Sequence, residues 1–86
     1  MYIILVYDVN RKRVSKVNKI CKKYIPSVQK SVFEGDITQS KLNSLKEELE
    51  KIIKPSEDAV CIYEFESTKY AKKEEIGGRV VISNII

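Results

Sequence analysis

The sequence predicts an α+β chain, a ferredoxin-like βαββαβ sandwich with an extra C-terminal strand. Three observations carry the prediction. An apolar, β-forming run, YIILVYD, opens the chain and stops at a carboxylate. Two later segments repeat apolar residues at helical spacing, and a proline, Pro26 or Pro55, follows each of them. Between and beyond these lie β-rich segments at residues 27–37, 59–66 and 79–82. The length, 86 residues, suits one domain, and a composition of 43% hydrophobic and 33% charged residues is that of a folded globular chain.

Residues 2–8 are apolar and end abruptly, as a buried central strand does. Asn10 is placed to cap the helix that follows. In that helix Val14, Val17, Cys21 and Tyr24 share a face, with Ile20 beside them, and lysines fill the other side. Residues 27–37, SVQKSVFEGDI, form either one bent strand or two short ones, with Gly35 placed for a bulge. Thr38 is placed to cap a second helix. Its stripe is Leu42, Leu45, Leu49, Ile52 and Ile53, and Glu47 and Lys51 are spaced to pair. Residues 59–66, AVCIYEFE, read as strand. Residues 69–73 read as a basic turn or short helix, Gly77 and Gly78 break the chain, and a last strand is expected at about 78–83. Two such helices on one sheet make a small core, so association would add stability. The final RVVISNII pairs either within its own sheet or, across a dimer, with a second subunit's sheet.

Composition narrows the functions. The chain has no histidine, which removes the commonest general base and the commonest zinc ligand. No apolar run approaches the roughly 20 residues of a membrane span. The N-terminus lacks the basic opening of a signal peptide. There is no Gly-rich phosphate loop and no nucleophile with a histidine partner, so neither an NTPase nor a covalent-nucleophile enzyme is supported. Cys21 and Cys61 have no CxxC partner and read as small buried hydrophobes in a reducing compartment. The net charge is +4, but it is unevenly spread: eight positive residues and no acids lie between Val9 and Phe33, whereas eleven acids face eight bases from Glu34 onward. Local basicity of this kind fits an anionic partner.

Asp8 is the sharpest single residue. A carboxylate that ends an apolar strand needs a cation, hydrogen bonds or a raised pKa. It fits a magnesium ligand at the strand's C-terminal end, with a second copy across a twofold axis supplying what one chain lacks. The plain alternative is that Asp8 caps the first helix. Asn10, Arg11, Lys12 and Arg13 open that helix, where cations oppose the macrodipole. They make sense if the helix start faces phosphates, with Lys16 and Lys30 extending the same acid-free stretch. Tyr7 and Phe33 are core aromatics by default, yet both can lie near Asp8, where a phenol orients a water or contacts a phosphate.

YDVN at 7–10, RVSKVNKI at 13–20, VQKSVFEGDIT at 28–38, LKEELEKII at 45–53 and the ED pair at 57–58 together resemble the small CRISPR-associated "Cas two" family, in register from Met1 to about Gly77. The resemblance implies a ferredoxin-like homodimer in a prokaryotic cytoplasm, without membrane attachment, acting in the adaptation stage of CRISPR immunity. It implies an integrase partner, the "Cas one" protein, two dimers of which it bridges while DNA lies across its basic surface. It also implies an endonuclease of single-stranded RNA or duplex DNA that depends on Mg²⁺ or Mn²⁺, one ion being shared per dimer between the two copies of Asp8. Tyr7 and Phe33 match the family's aromatic positions, and Arg11 to Arg13 match its basic residues loosely. Two alternatives stay open. One is a non-catalytic structural DNA-binding adaptor, with the integrase doing the chemistry. The other is an mRNA-cleaving toxin of similar fold.

Overall fold

The structure, a computed structural model, describes residues 1–66. Its elements are β1 (Tyr2–Asp8), α1 (Arg11–Lys22), β2 (Ser27–Gln29), β3 (Val32–Asp36), α2 (Gln39–Ile52) and β4 (Ala59–Phe65). The basic turn expected at 69–73, the break at Gly77 and Gly78 and the strand at 78–83 lie outside the described residues.

The strands form one antiparallel sheet in the order β2-β3-β1-β4. β1 and β2 are therefore parallel with β3 between them, and β3 and β4 are parallel with β1 between them. Each helix joins two such strands, which is the split βαβ arrangement of the ferredoxin-like fold. β1 is central because its run of branched apolar residues can be covered on both faces. Ile3, Ile4 and Leu5 are at most 3% exposed.

Alternate residues of β1 turn to opposite faces of the sheet. Ile3, Leu5 and Tyr7 turn to the helices and join Phe33 of β3, Val17 and Cys21 of α1, and Leu42, Leu45 and Leu49 of α2 in one core cluster. Both predicted helix stripes are thus the buried ones. Tyr2, Ile4, Val6 and Asp8 take the face without helices, opposite Phe65, Tyr63, Cys61 and Ala59 of β4. Both predicted caps form: Asn10 Oδ1 accepts from the Lys12 N–H at 3.1 Å, and Thr38 Oγ1 from the Lys41 N–H at 3.2 Å. The helices are also clamped to each other, since the Glu48 carboxylate on α2 accepts from Lys23 Nζ and Tyr24 Oη beyond the end of α1.

The structure settles or revises four local expectations. Residues 27–37 are two strands, divided at Lys30 and Ser31, where Ser31 adopts the left-handed conformation with φ 67°. Gly35 is not a bulge; it pairs with Ile3, and the register shift lies in β2 between Ser27 and Gln29. Glycine suits the position because a Cβ would sit 3.0 Å from Pro26 Cδ, so that a larger residue would push the ring back by a few tenths of an ångström. Among the described residues Glu47 and Lys51 do not form the expected pair, and neighbouring Glu48 pairs across to Lys23 instead. Cys21 is buried as expected, and burial pushes its thiol up to about 12, whereas Cys61 is exposed because it lies on the face without helices.

Candidate functional site

Asp8, Asn10, Arg11, Lys12 and Lys30 lie at or beside the end of the sheet where β1 stops. Asp8 is the last residue of β1, paired with Ala59, the first of β4. Its side chain is exposed, and its carboxylate takes no hydrogen bond or ion pair among the described residues. Asp8 is therefore not the cap of α1; Asn10 does that work. The β2–β3 turn reaches the same end, because the Tyr7 N–H donates to Ser31 O at 3.1 Å. Lys30 in that turn, with Arg11, Lys12 and Lys16 on α1, is exposed and free of ion pairs among the described residues. Lys12, Lys16 and Lys19 recur at i, i+4 and i+7, so they line one face of the helix.

Arg13 is different. Expected on the nucleic-acid surface, it is engaged inside the chain. Its Nε donates to Asp58 Oδ2 at 2.6 Å, and its Nη2 donates to Asp58 Oδ1 at 3.1 Å and to Glu57 Oε1 at 2.6 Å. The Asp58 side chain is fully buried by this contact. Its oxygens also accept from the Asn10 N–H at 2.8 Å and the Lys54 N–H at 2.7 Å. Four donors on one carboxylate stabilise its charged form. The Arg13 guanidinium first, then the two backbone N–H groups, hold Asp58 well below the usual carboxylate range against the opposing effect of burial. The sequence signals for this contact were weak: Asp58 stands 45 residues from Arg13, and its only mark was the acidic pair before β4.

Tyr7 and Phe33 are also placed differently from their expected catalytic role. They are 4% and 0% exposed, on the helix-facing side of the sheet. Their rings stack with centroids 6.1 Å apart. Tyr7 Oη accepts a long hydrogen bond from Asn18 Nδ2 at 3.4 Å. Successive strand residues point to opposite faces, so Tyr7 and Asp8 cannot both reach the same surface.

The donor set limits what metal the site can hold. Among the described residues no three acids or cysteines cluster as ligands. Of the exposed carboxylates described at this end, Glu57 is held by Arg13 and Asp8 takes no ion pair among the described residues. Hard divalent cations accept one or two carboxylates and fill the remaining shell with water and phosphate oxygens. Asp8 fits that chemistry, most fully with a second copy of itself.

Residues 1–73 match the family profile described as CRISPR associated protein Cas2. The chain belongs to the Cas2 family. The protein named CRISPR-associated endoribonuclease Cas2 in Dictyoglomus turgidum is 46% identical over 77 residues, covering 90% of this chain and 88% of that one. The protein of the same name in Thermotoga maritima matches at the same identity and coverage. A crystal structure of Streptococcus pyogenes Cas2 at pH 6.5 superposes with a TM-score of 0.78 at 32% identity, over 90% of this chain and 100% of that one. The Cas2 fold and the βαββαβ order read from the sequence agree. Among the described residues no helix is long and apolar enough to cross a membrane.

Proposed function

We propose that this Cas2 chain acts as a homodimer that binds nucleic acid at the basic end of its sheet and hydrolyses phosphodiester bonds of RNA or DNA with Mg²⁺ or Mn²⁺. The observation that carries the reading is Asp8, an exposed carboxylate without a partner among the described residues, at the end of the sheet that also carries Arg11, Lys12 and Lys30. The endoribonuclease names of the relatives support hydrolysis. Pairing of two copies is supported by the half-buried apolar residues on the helix-free face, Val6, Tyr63 and Phe65 among them. Arg11, Lys12, Lys16 and Lys30 hold backbone phosphates without reading bases. Asp8 of each copy would help to hold the ion. Once bound, Mg²⁺ would offset charge on the reacting phosphate and make a water more acidic. The CRISPR context extends the reading to spacer acquisition with the integrase partner.

A second reading, a non-catalytic adaptor for DNA, is favoured by the burial of Tyr7 and Phe33 on the face of the sheet opposite Asp8. The toxin reading rested on fold alone, and family membership now supplies a more specific context. Asp8→Ala separates the first two. The enzyme loses cleavage of labelled RNA and duplex DNA while keeping its affinity for both. The adaptor keeps spacer integration in cells unchanged. Replacing Arg11, Lys12 and Arg13 together would mix binding with folding, because Arg13 is engaged by Asp58. Replacing Arg11, Lys12 and Lys16 with Ala avoids this, and should reduce the slope of log affinity against log salt by about 2 to 3. An unmoved slope would place the phosphates on another surface, and a chain that stays monomeric at high concentration would exclude the shared ion.

A further inference from the structure

We propose that Asp58 is a positioning residue for Asp8, holding the turn after β1 so that the metal-binding carboxylate leaves the sheet in one fixed direction. The inference rests on the reading of Asp8 as a metal ligand and deepens it. Asp8 lies between two attachments. On one side it is in register with Ala59, the residue directly after Asp58. On the other, two residues along the chain, the Asn10 N–H donates to Asp58 Oδ1 at 2.8 Å. One carboxylate and its chain neighbour thus grip the backbone at Asp8 and just beyond it.

Asp58 can act this way because it is itself immobile. Its side chain is fully buried, and its other bonds run to Arg13 on α1 and to the Lys54 N–H in the turn after α2. That turn also closes on itself, with the Glu57 and Asp58 N–H groups both donating to Lys54 O at 2.8 Å. The Asn10 tether is therefore anchored to both helices. Val9, between Asp8 and Asn10, packs against the core, so the three-residue turn has little freedom. Partners outside the first shell of a metal site that orient its ligands typically change metal affinity about 10- to 100-fold when removed.

The test breaks the same hydrogen bond from either end and reads Mn²⁺ binding to the free protein by electron paramagnetic resonance, without nucleic acid. In Asp58→Asn, either orientation of the amide turns its NH₂ towards two of the four donors. Asn10→Pro deletes the N–H at a residue whose φ of −57° already suits proline, and leaves the Asp58, Arg13 and Glu57 cluster in place. It keeps the four bonds within the Asp58, Arg13 and Glu57 cluster and to Lys54, and its folding is checked by circular dichroism. It also removes the Oδ1 cap of α1, so Asn10→Ala, which loses that cap but keeps the N–H, is the control and is expected to bind Mn²⁺ as the parent does. Asp58→Asn and Asn10→Pro are both expected to raise the Mn²⁺ concentration for half-saturation by about tenfold or more. Glu57→Gln weakens the grip on Arg13 but spares the Asn10 tether, and it is expected to bind Mn²⁺ as the parent does. Asp8→Asn is expected to abolish binding. If folded Asn10→Pro binds like the parent while Asp8→Asn does not, the positioning role is overturned and the metal reading stands. If Glu57→Gln weakens binding as much as Asn10→Pro does, general loosening explains the effect and the positioning role is overturned. If Asp8→Asn binds Mn²⁺ like the parent, the metal reading fails and takes the positioning role with it.

Discussion

The two helices of this sandwich start under opposite electrostatic conditions. Neither has an acid in its first turn, and each has one local oxygen cap. α1 nevertheless opens on Arg11, Lys12 and Arg13, three cations set against its own dipole, and is met there by the carboxylate of Asp58. α2 opens on Gln39, Ser40 and Lys41, and among the described residues no carboxylate is bonded to its first turn. The difference shows that a helix start can be loaded with cations when a tertiary contact supplies the negative charge that the local sequence withholds. One of the three cations is spent on that contact, and two stay available to an external anion.

The contrast can be broken most strongly at Asp58. Asp58→Asn leaves part-buried Arg13 with Glu57 as its remaining charge partner and turns an amide NH₂ towards two of the donors that the carboxylate had satisfied, and the thermal midpoint should fall on the order of 10 °C. A fall no larger than that of a surface substitution would mean that α1 does not depend on the contact. The pH dependence tests the same point. Asp58 is held below the usual carboxylate range mainly by Arg13. Its contribution to stability is complete above the unfolded-state value of about 4 and is lost as pH falls through the depressed folded value. In urea titrations the parent's advantage over Asp58→Asn should be constant from about pH 7 to 5 and shrink below about pH 4. An advantage that grew on acidification would exclude the assignment.

At α2 the effects are smaller because only the local cap acts. Thr38→Ala should cost about 1 kcal/mol in chemical denaturation. Lys41→Glu would sharpen the contrast by giving α2 the acid it lacks. It puts a carboxylate three residues after the Thr38 cap, which completes a reciprocal capping pair, and should add roughly 0.3–1 kcal/mol. A loss of stability there would mean that Lys41 serves some purpose at the start of α2.

Local features were legible in the sequence because their causes are local. The apolar run ending at Asp8, the two stripes and the caps at Asn10 and Thr38 each depend on residues within a turn or a strand of one another, and each appears as expected. Contacts between distant residues were not legible. Nothing in Arg13 says that its partner is Asp58 rather than a phosphate, since both would draw on the same guanidinium. Gly35 looked like a bulge because its true reason, Pro26 leaning on β3, depends on packing. The split of residues 27–37 at Ser31 lacked the usual glycine signal, although a left-handed serine costs on the order of 1 kcal/mol. The catalytic expectation for Tyr7 and Phe33 rested on their nearness to Asp8 and on their match to the family's aromatic positions. Strand alternation already argued against Tyr7 sharing a surface with Asp8.

The unequal burial of the two cysteines offers a practical handle. Cys21 is sealed in the core and Cys61 lies open on β4, so a nitroxide reagent should modify the unaltered polypeptide at one position. Cys61 stands opposite Val6 on the helix-free side, two residues along from the partner of Asp8. If two copies meet through that side, dipolar spectroscopy on the labelled material should return a short, narrow distance across their symmetry axis. That single reading would report how the copies are paired without a nucleic acid, a metal or an assay for turnover.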